Sequence, residues 1–266
     1  MIELKSVSGT CGAGSVQNVS FRLPNGKTYG VFSPRYVDAI CLLSLMSGAR
    51  TPTSGTVLAG GFDLHREARQ ARRGIGYLPA ALCPDDELTP IEYLMSVADA
   101  RALPYEKTLR HVHELLELAD LSGKKERLIA NLSHGEKRIL SLLQLLLGKP
   151  EILILASPFE GVIPKDVQKM RELIAYLGET YTIFLCTPLV NDLCQMCEEI
   201  IILQNGALKT IAPADQTALM QEYSAASAEN TPDEVAPQKS KNTRWNILTQ
   251  KGADYEVIDD EKEGKN

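Results

Sequence analysis

Three short stretches of this chain hold residue types whose spacing could do chemistry. Residues 30–43, GVFSPRYVDAICLL, run from an apolar strand-like segment into an apolar helical one, the kind of junction where a helix N-terminus receives phosphate. Such a site needs glycines that let backbone N–H groups close around the anion, a lysine that reaches the phosphates and a hydroxyl that holds magnesium. After Gly30, however, no glycine follows until Gly48, and Arg35 is the only basic residue of the stretch. Residues 131–150, NLSHGEKRILSLLQLLLGKP, place Ser133 as the N-cap of a helix with Gly135 close behind, so a hydroxyl and the positive helix end could face an anion. The plainer alternative, that Ser133 is only a cap and Gly135 only a permissive turn residue, stays open. Cys194 and Cys197 form a C-x-x-C, but with no second ligand pair their spacing suits one face of a packed helix rather than zinc or redox chemistry. His65, His111 and His113 fall on helical or loop surfaces with no partner the sequence identifies, and His134 reads as surface filling.

Those stretches need a scaffold, and the sequence supplies one. IELKSV, VSFRL and TYGVF read as strands within residues 2–32, with the turn PNGK before the third. LLSLM supplies a short helix after the junction, TPTSG turns into the strand TVLAGG, and GIGYLP is a short buried strand stopped by proline. Helical periodicity then takes over in TPIEYLMSVADARAL, which has a Thr-Pro start, and in KTLRHVHELLELADL. The helix opened by Ser133 is apolar nearly all round and so must be buried on several sides. EILIL, YTIFLCT and IIIL are apolar runs of the kind found in fully covered parallel strands. Strands alternating with helices predict an α/β fold whose parallel sheet is covered on both faces.

Composition narrows the classes. The 266 residues carry 44% hydrophobic and 23% charged residues, which fits one main globular domain plus an appendage. A net charge of -6 argues against nucleic acid as a partner. The start, MIELKSVSG, lacks the features of a signal peptide, and ILSLLQLLL is too short to span a bilayer, so the expectation is a cytosolic protein. Cys11, Cys41, Cys83, Cys186, Cys194 and Cys197 lack disulfide-framework spacing and are expected as free thiols, and no metal site is expected. The body is expected over 1–214, with a helical subdomain at about 84–145, followed by a linker and acidic tail over 215–266. For residues 243–259 two readings stay open: a short partner-binding hairpin, or part of a disordered acidic tail.

In the order and spacing of GVFSP, PTSGTVLAGGFDL, GIGYLP, LTPIEYL, LSHGE, ILIL and ILQNGAL, the chain resembles the ATP-binding subunit of ABC transporters, most closely the bacterial exporter type. The resemblance covers about residues 1–212 and implies a P-loop NTPase-like domain with a mixed sheet, an antiparallel β subdomain and a helical subdomain. It implies ATP and magnesium as ligands, a second cassette as dimer partner, identical or paralogous, and an integral membrane permease. The implied location is the cytoplasm, peripheral at the inner face of the membrane.

Against the family pattern GPNGAGKST, the Walker A loop reads Ser33, Pro34, Arg35, Tyr36, Val37, Asp38, Ala39, Ile40 and Cys41. The lysine position is Ala39 and the magnesium hydroxyl position Ile40, while Asp38 brings a carboxylate to where phosphate is expected. The Q-loop glutamine matches Ala80, and the Walker B aspartate and general-base glutamate match Ala156 and Ser157. The D-loop aspartate matches Ile163, the switch histidine matches Pro188, and no adenine-stacking aromatic stands in SGTCGAG. Only the signature, Leu132, Ser133, His134, Gly135 and Glu136 against the family's LSGGQ, keeps part of the pattern, in Leu132, Ser133 and Gly135, while Glu136 adds a charge unfriendly to phosphate; in the family the signature faces the nucleotide of the opposite subunit.

The resulting expectation is a degenerate subunit whose own site does not hydrolyse ATP and binds it weakly or not at all. It would pair head to tail with an active paralogue. Two alternatives stand beside it: a nucleotide-independent regulator or scaffold, and an active ATPase that uses displaced residues such as Glu160 and Arg35.

Overall fold

A computed structural model of the chain describes residues 1–81, 84–215 and Leu219. Cys83, the linker and both readings of residues 243–259 lie outside the described residues. A four-stranded antiparallel sheet is built from β1 (Ile2–Cys11), β2 (Gly14–Leu23), β4 (Ser54–Ala59) and β5 (Phe62–Asp63), in the order β2-β1-β4-β5. A six-stranded sheet holds β3 (Thr28–Phe32), β6 (Ile75–Leu78), β7 (Ile152–Ala156), β8 (Thr182–Cys186), β9 (Glu199–Gln204) and β10 (Ala207–Pro213). Its order is β10-β9-β3-β8-β7-β6, parallel throughout except for the β9–β10 hairpin.

The central strands β3, β7 and β8 are buried at every position because both of their faces are covered. In β7, Leu153 and Leu155 enter one core while Ile152, Ile154 and Ala156 enter the other, as a period of two requires. β8 divides in the same way, with Ile183 and Leu185 on the first side and Phe184 and Cys186 on the second. The second core is shared with α1 (Tyr36–Met46) and the antiparallel sheet. The first is shared with α3 (Pro90–Ala100), α4 (Tyr105–Leu118), α5 (His134–Leu146) and α6 (Pro164–Gly178). Two short helices, α2 (Ala68–Arg73) and α7 (Val190–Met196), complete the described elements.

Several sequence expectations change here. The helix after the phosphate-loop junction begins at Tyr36 rather than near Leu42, because 36–41 contains no glycine to hold a wide loop open and its Asp38, Ala39 and Cys41 side chains are buried. Cys197 lies past the end of α7 with extended backbone, so the C-x-x-C does not form one helical face: Cys194 is on the helix and Cys197 follows it. α6 was not read from the sequence, although Pro164 at its first turn and buried Met170, Leu173, Ile174 and Leu177 are an ordinary amphipathic signal. In α5, every residue from Arg138 to Leu146 is buried, as its all-round apolarity requires.

Candidate functional site

The candidate site forms where the ends of β3, β7 and β8 meet the start of α1. Between β3 and α1 only Ser33, Pro34 and Arg35 remain outside regular structure. Ser33 is buried with an unpartnered hydroxyl, and Arg35, the N-cap, makes no side-chain cap bond and instead donates Nη2–H to the Ala13 carbonyl (2.9 Å). The first turn closes on itself, with Asp38 N–H donating to the Arg35 carbonyl (2.9 Å). Val37 is exposed, Ile40 is half-buried, and Ala39 and Cys41 are fully buried in the core shared with the antiparallel sheet.

Tyr36 does what the sequence did not reveal. Its hydroxyl hydrogen-bonds Ser157 Oγ (2.5 Å) and reaches the Cys186 carbonyl (3.4 Å), joining the start of α1 to the ends of β7 and β8. Burial, with a smaller push from the Cys186 thiol, raises the Tyr36 phenol far above its ordinary value, so it stays neutral. The side chain at a glycine position of the family pattern therefore fills the turn and ties it to the general-base position.

Asp38 requires a correction. It is not aimed at a phosphate position: its carboxylate is fully buried against β2 and accepts the Ser15 N–H (2.8 Å). The reason is the early helix start, which turns position 38 toward the antiparallel sheet. The same contact seats the β1–β2 turn, where an adenine platform was sought, directly on α1. A Cβ added at Gly14 would stand 2.2 Å from the Val37 carbonyl oxygen, so only glycine allows this approach.

Ser157 follows β7 with φ +51, a left-handed conformation stabilised by full use of its polar groups. Its N–H donates to the Cys186 carbonyl (3.1 Å), and its carbonyl accepts Arg138 Nη2–H (3.1 Å). Arg138 also donates to the carbonyls of Ala156 (3.2 Å) and Pro158 (3.3 Å). This buried guanidinium was missed by sequence reasoning; the available signal was a single arginine inside the apolar run of α5, a position where charge needs buried partners. Ala156 is fully buried, Ala80 sits in the turn after β6, and Pro188, Ile163 and Glu160 are exposed.

The signature residues assemble at the start of α5. Ser133 and Glu136 form a complete capping box: Ser133 Oγ accepts Glu136 N–H (3.1 Å), and Glu136 accepts the Ser133 N–H (3.0 Å). Ser133 Oγ also donates to Asp166 Oδ2 (2.8 Å) on α6, and a Cβ at Gly135 would lie 2.3 Å from Asp166 Cβ. His134 is exposed but packs over Gly161, where an added Cβ would come within 2.7 Å of its Nε2, and Leu132 is buried beneath. Burial would raise the Glu136 carboxyl, but the Lys124 ammonium and the Ser133 N–H outweigh it and hold the group below its ordinary value. The Ser133 hydroxyl is thus already used twice, accepting from the Glu136 N–H and donating to the Asp166 carboxylate.

These side chains do not fit ATP and magnesium at the chain's own loop. Residues 33–41 contain no lysine and no glycine, the Ser157 hydroxyl beside Tyr36 is already bonded to it, and the Asp38 N–H is spent on the Arg35 carbonyl. Among the described residues no group of three or more His, Cys, Asp or Glu side chains could hold a metal ion, and no helix is long and apolar enough to cross a membrane.

Comparison with known proteins is consistent with this architecture. The fold is similar to the solved ATP-binding subunit of an ABC transporter, with a TM-score of 0.69 and 22% identity over 86% of this chain and 98% of that one. It is also similar to a dimeric ATP-binding cassette in a post-hydrolysis state bound to ADP and Pi, with a TM-score of 0.69 and 21% identity over 81% and 99% of the two chains. In sequence the chain is 28% identical to Nod factor export ATP-binding protein I of Mesorhizobium japonicum, over 78% of this chain and 61% of that protein. It is 27% identical to linearmycin resistance ATP-binding protein LnrL of Bacillus subtilis, over 74% of this chain and 63% of that protein. The chain therefore spans about three fifths of the length of these relatives. The family model described as ABC transporter matches residues 16–160, more than half of the sequence, and the chain belongs to the ABC transporter family as an ATP-binding domain.

Proposed function

We propose that this chain is a non-hydrolysing ATP-binding-cassette subunit that pairs with a competent cassette and serves a membrane permease at the cytoplasmic face. The observation that carries the reading is the Tyr36 hydroxyl bonded to Ser157 and the Cys186 carbonyl, which occupies the meeting point of the strand ends where a nucleotide phosphate would need backbone and cations. Losing the lysine and the magnesium hydroxyl removes two charge-assisted bonds of about 1.5–3 kcal/mol each, which weakens ATP binding about 100-fold to 10,000-fold. The names of the relatives, export and resistance proteins, support export as the direction of transport.

In the finer form of this proposal the signature acts on the partner's nucleotide, which requires Ser133 to exchange Asp166 for a phosphate. A second reading, a nucleotide-independent scaffold, is favoured by the same Ser133–Asp166 bond, since it leaves that helix start already satisfied.

Two measurements test these readings. The isolated chain is expected to show no ATP turnover and no calorimetric ATP binding at micromolar concentrations; turnover that disappears in Glu160→Gln would instead establish the active-ATPase alternative. In a purified complex with the cassette it pairs with, Ser133→Arg is expected to lower turnover. Unchanged turnover would remove the trans role and leave the scaffold.

A further inference from the structure

Two thiols meet where the β1–β2 turn seats on α1, and no step of the nucleotide chemistry uses either. Cys11 ends β1 and is half-buried, whereas Cys41 lies on α1 and is fully buried. Cys41 is part of the core that α1 shares with the antiparallel sheet, and Cys11 packs against that core. Cys11 Sγ lies 3.9 Å from the Cys41 carbonyl oxygen, and Cys41 Sγ lies 3.9 Å from the Gly9 carbonyl oxygen on β1. Burial first, and contact with the Cys11 thiol second, push the Cys41 thiol well above its ordinary value. Both cysteines are free thiols.

Register explains the meeting. Positions 9 and 11 of a strand share one face, and positions 41 and 45 of a helix share one face a turn apart. A Cβ at Gly9 would stand 3.1 Å from both Leu45 methyl carbons, so position 9 lies opposite position 45. Two strand residues advance about 6.7 Å and one helical turn about 5.4 Å, which brings position 11 opposite position 41. No side chain separates the pair: Gly14, directly across the β1–β2 ladder from Cys11, would place a Cβ 3.0 Å from Cys41 Cβ. A disulfide needs Cβ atoms about 3.5–4.5 Å apart, and the missing side chain at Gly14 leaves that approach open. The two cysteines stand 30 residues apart, in SGTCGAG and in the Walker A stretch, so a bond between them would tie together the segments that the family resemblance assigns to adenine and phosphate.

We propose that Cys11 and Cys41 form a peroxide-oxidisable dithiol whose disulfide clasps the β1–β2 turn to α1. The Cys11 sulfur, being partly exposed, attacks one oxygen of hydrogen peroxide; the O–O bond breaks, the departing hydroxide takes the Cys11 proton as water, and Cys11 carries a sulfenic acid. The Cys41 sulfur then attacks the Cys11 sulfur; the S–O bond breaks, and the second hydroxide takes the Cys41 proton as water. In sum two thiols lose two protons and two electrons, and one hydrogen peroxide becomes two waters. A dithiol reductant reverses the bond by exchange. The disulfide closes the chain between residues 11 and 41 and so restricts the unfolded state, which stabilises the seat of the turn on α1. Neither nucleotide nor partner enters the step, so it stands or falls apart from the proposed function.

The test treats the full chain with hydrogen peroxide, blocks the remaining thiols by alkylation and maps tryptic peptides by mass without reduction. Cleavage after Lys5, Arg22, Arg35 and Arg50 isolates Cys11 in 6–22 and Cys41 in 36–50, each with no other cysteine. The expected product is those two peptides joined, lighter than their sum by two hydrogens and parted by dithiothreitol, in a chain that runs as a monomer on a non-reducing gel. The oxidised chain is expected to unfold at a higher urea concentration than the reduced one. Cys11→Ser and Cys41→Ala are each expected to lose both the joined product and that shift; Cys11 stands at the edge of the core, so its variant serves alone should Cys41→Ala fail to fold. The proposal is overturned if 6–22 and 36–50 are not joined, if they join only between two chains, or if Cys11 proceeds to the sulfinic acid while Cys41 stays free. It is also overturned if the two hydrogens are lost only within 172–209, which holds Cys186, Cys194 and Cys197, if oxidation does not raise the urea midpoint, or if a folded variant keeps the shift.

Discussion

The starts of α1 and α5 are the two places where an ATP-binding cassette meets phosphate, and here they differ in almost every respect except that both are closed from within. Residues 33–41, which lead into α1, hold no glycine and no lysine, and α1 lacks a side-chain cap; its first turn is held by Tyr36 bonding forward to Ser157 and by Asp38 bonding sideways to Ser15. α5 keeps its serine and glycine and has a full capping box, yet its hydroxyl is spent on Glu136 and Asp166. The lesson is that retention of a motif does not make it available. Ser133 satisfies the sequence pattern and the local fold together, whereas Tyr36 satisfies only the fold.

The comparison can be broken most forcefully at the glycines that permit each close approach. A methyl group at Gly14 would meet the Val37 carbonyl oxygen, which is helix backbone, and one at Gly135 would meet the Asp166 Cβ, which side-chain rotation does not move. Gly14→Ala and Gly135→Ala are therefore each expected to cost about 3 kcal/mol in urea unfolding, the upper end of the range for overpacking. A cost near zero at one glycine only would mean that its close approach relaxes without strain, and the two ends would differ in rigidity.

How far the sequence revealed each end follows from the type of signal. Apolar runs such as ILIL and IFLC are short, rich in β-branched and aromatic residues and bounded by polar positions, which favours covered strands over a buried helix, and both lie in the central sheet. Ser133 was legible as a cap because capping is local, its partner Glu136 standing three residues on. Tyr36, Asp38 and Arg138 were not legible, since their partners stand 121, 23 and 18–20 residues away and nothing in the chain near them names Ser157, Ser15 or the Pro158 carbonyl. Counting motif residues one by one could not tell an empty loop from one filled by the Tyr36 ring.

A gentler pair of substitutions weighs the hydrogen bonds themselves. Tyr36→Phe leaves the ring in place but removes the bond to Ser157, which is only 3% exposed and has little water to replace the partner. The expected loss is about 1.5 kcal/mol. Ser133→Ala removes a cap and the Asp166 bond at an exposed residue where water takes over part of both roles, with an expected loss of about 1 kcal/mol. If Ser133→Ala costs more than Tyr36→Phe, the α5 start is the tighter of the two and the filled loop is held mainly by packing.

The smallest effect distinguishes the two ends by pH. Burial raises the Tyr36 phenol above its ordinary value near 10.0, so the folded chain holds that proton more tightly than the unfolded one. Its contribution is complete below pH 10 and falls as pH rises beyond it, because the unfolded phenol ionises first. Glu136 is displaced the other way: Lys124 and the Ser133 N–H overcome burial and hold it below 4.5, so its contribution is complete above that value and is lost as pH falls through the lowered folded value. Acid should therefore loosen α5 and alkali α1. In unfolding curves measured from pH 3 to pH 11, Glu136→Gln is expected to flatten only the acid limb and Tyr36→Phe only the alkaline limb. Tyr29, Tyr77 and Tyr181 are also raised by burial, so part of the alkaline loss persists in Tyr36→Phe. An alkaline limb wholly unchanged by that substitution would show that the Tyr36 hydroxyl contributes no linkage, and the forward bond to Ser157 would no longer explain how the first turn of α1 is held.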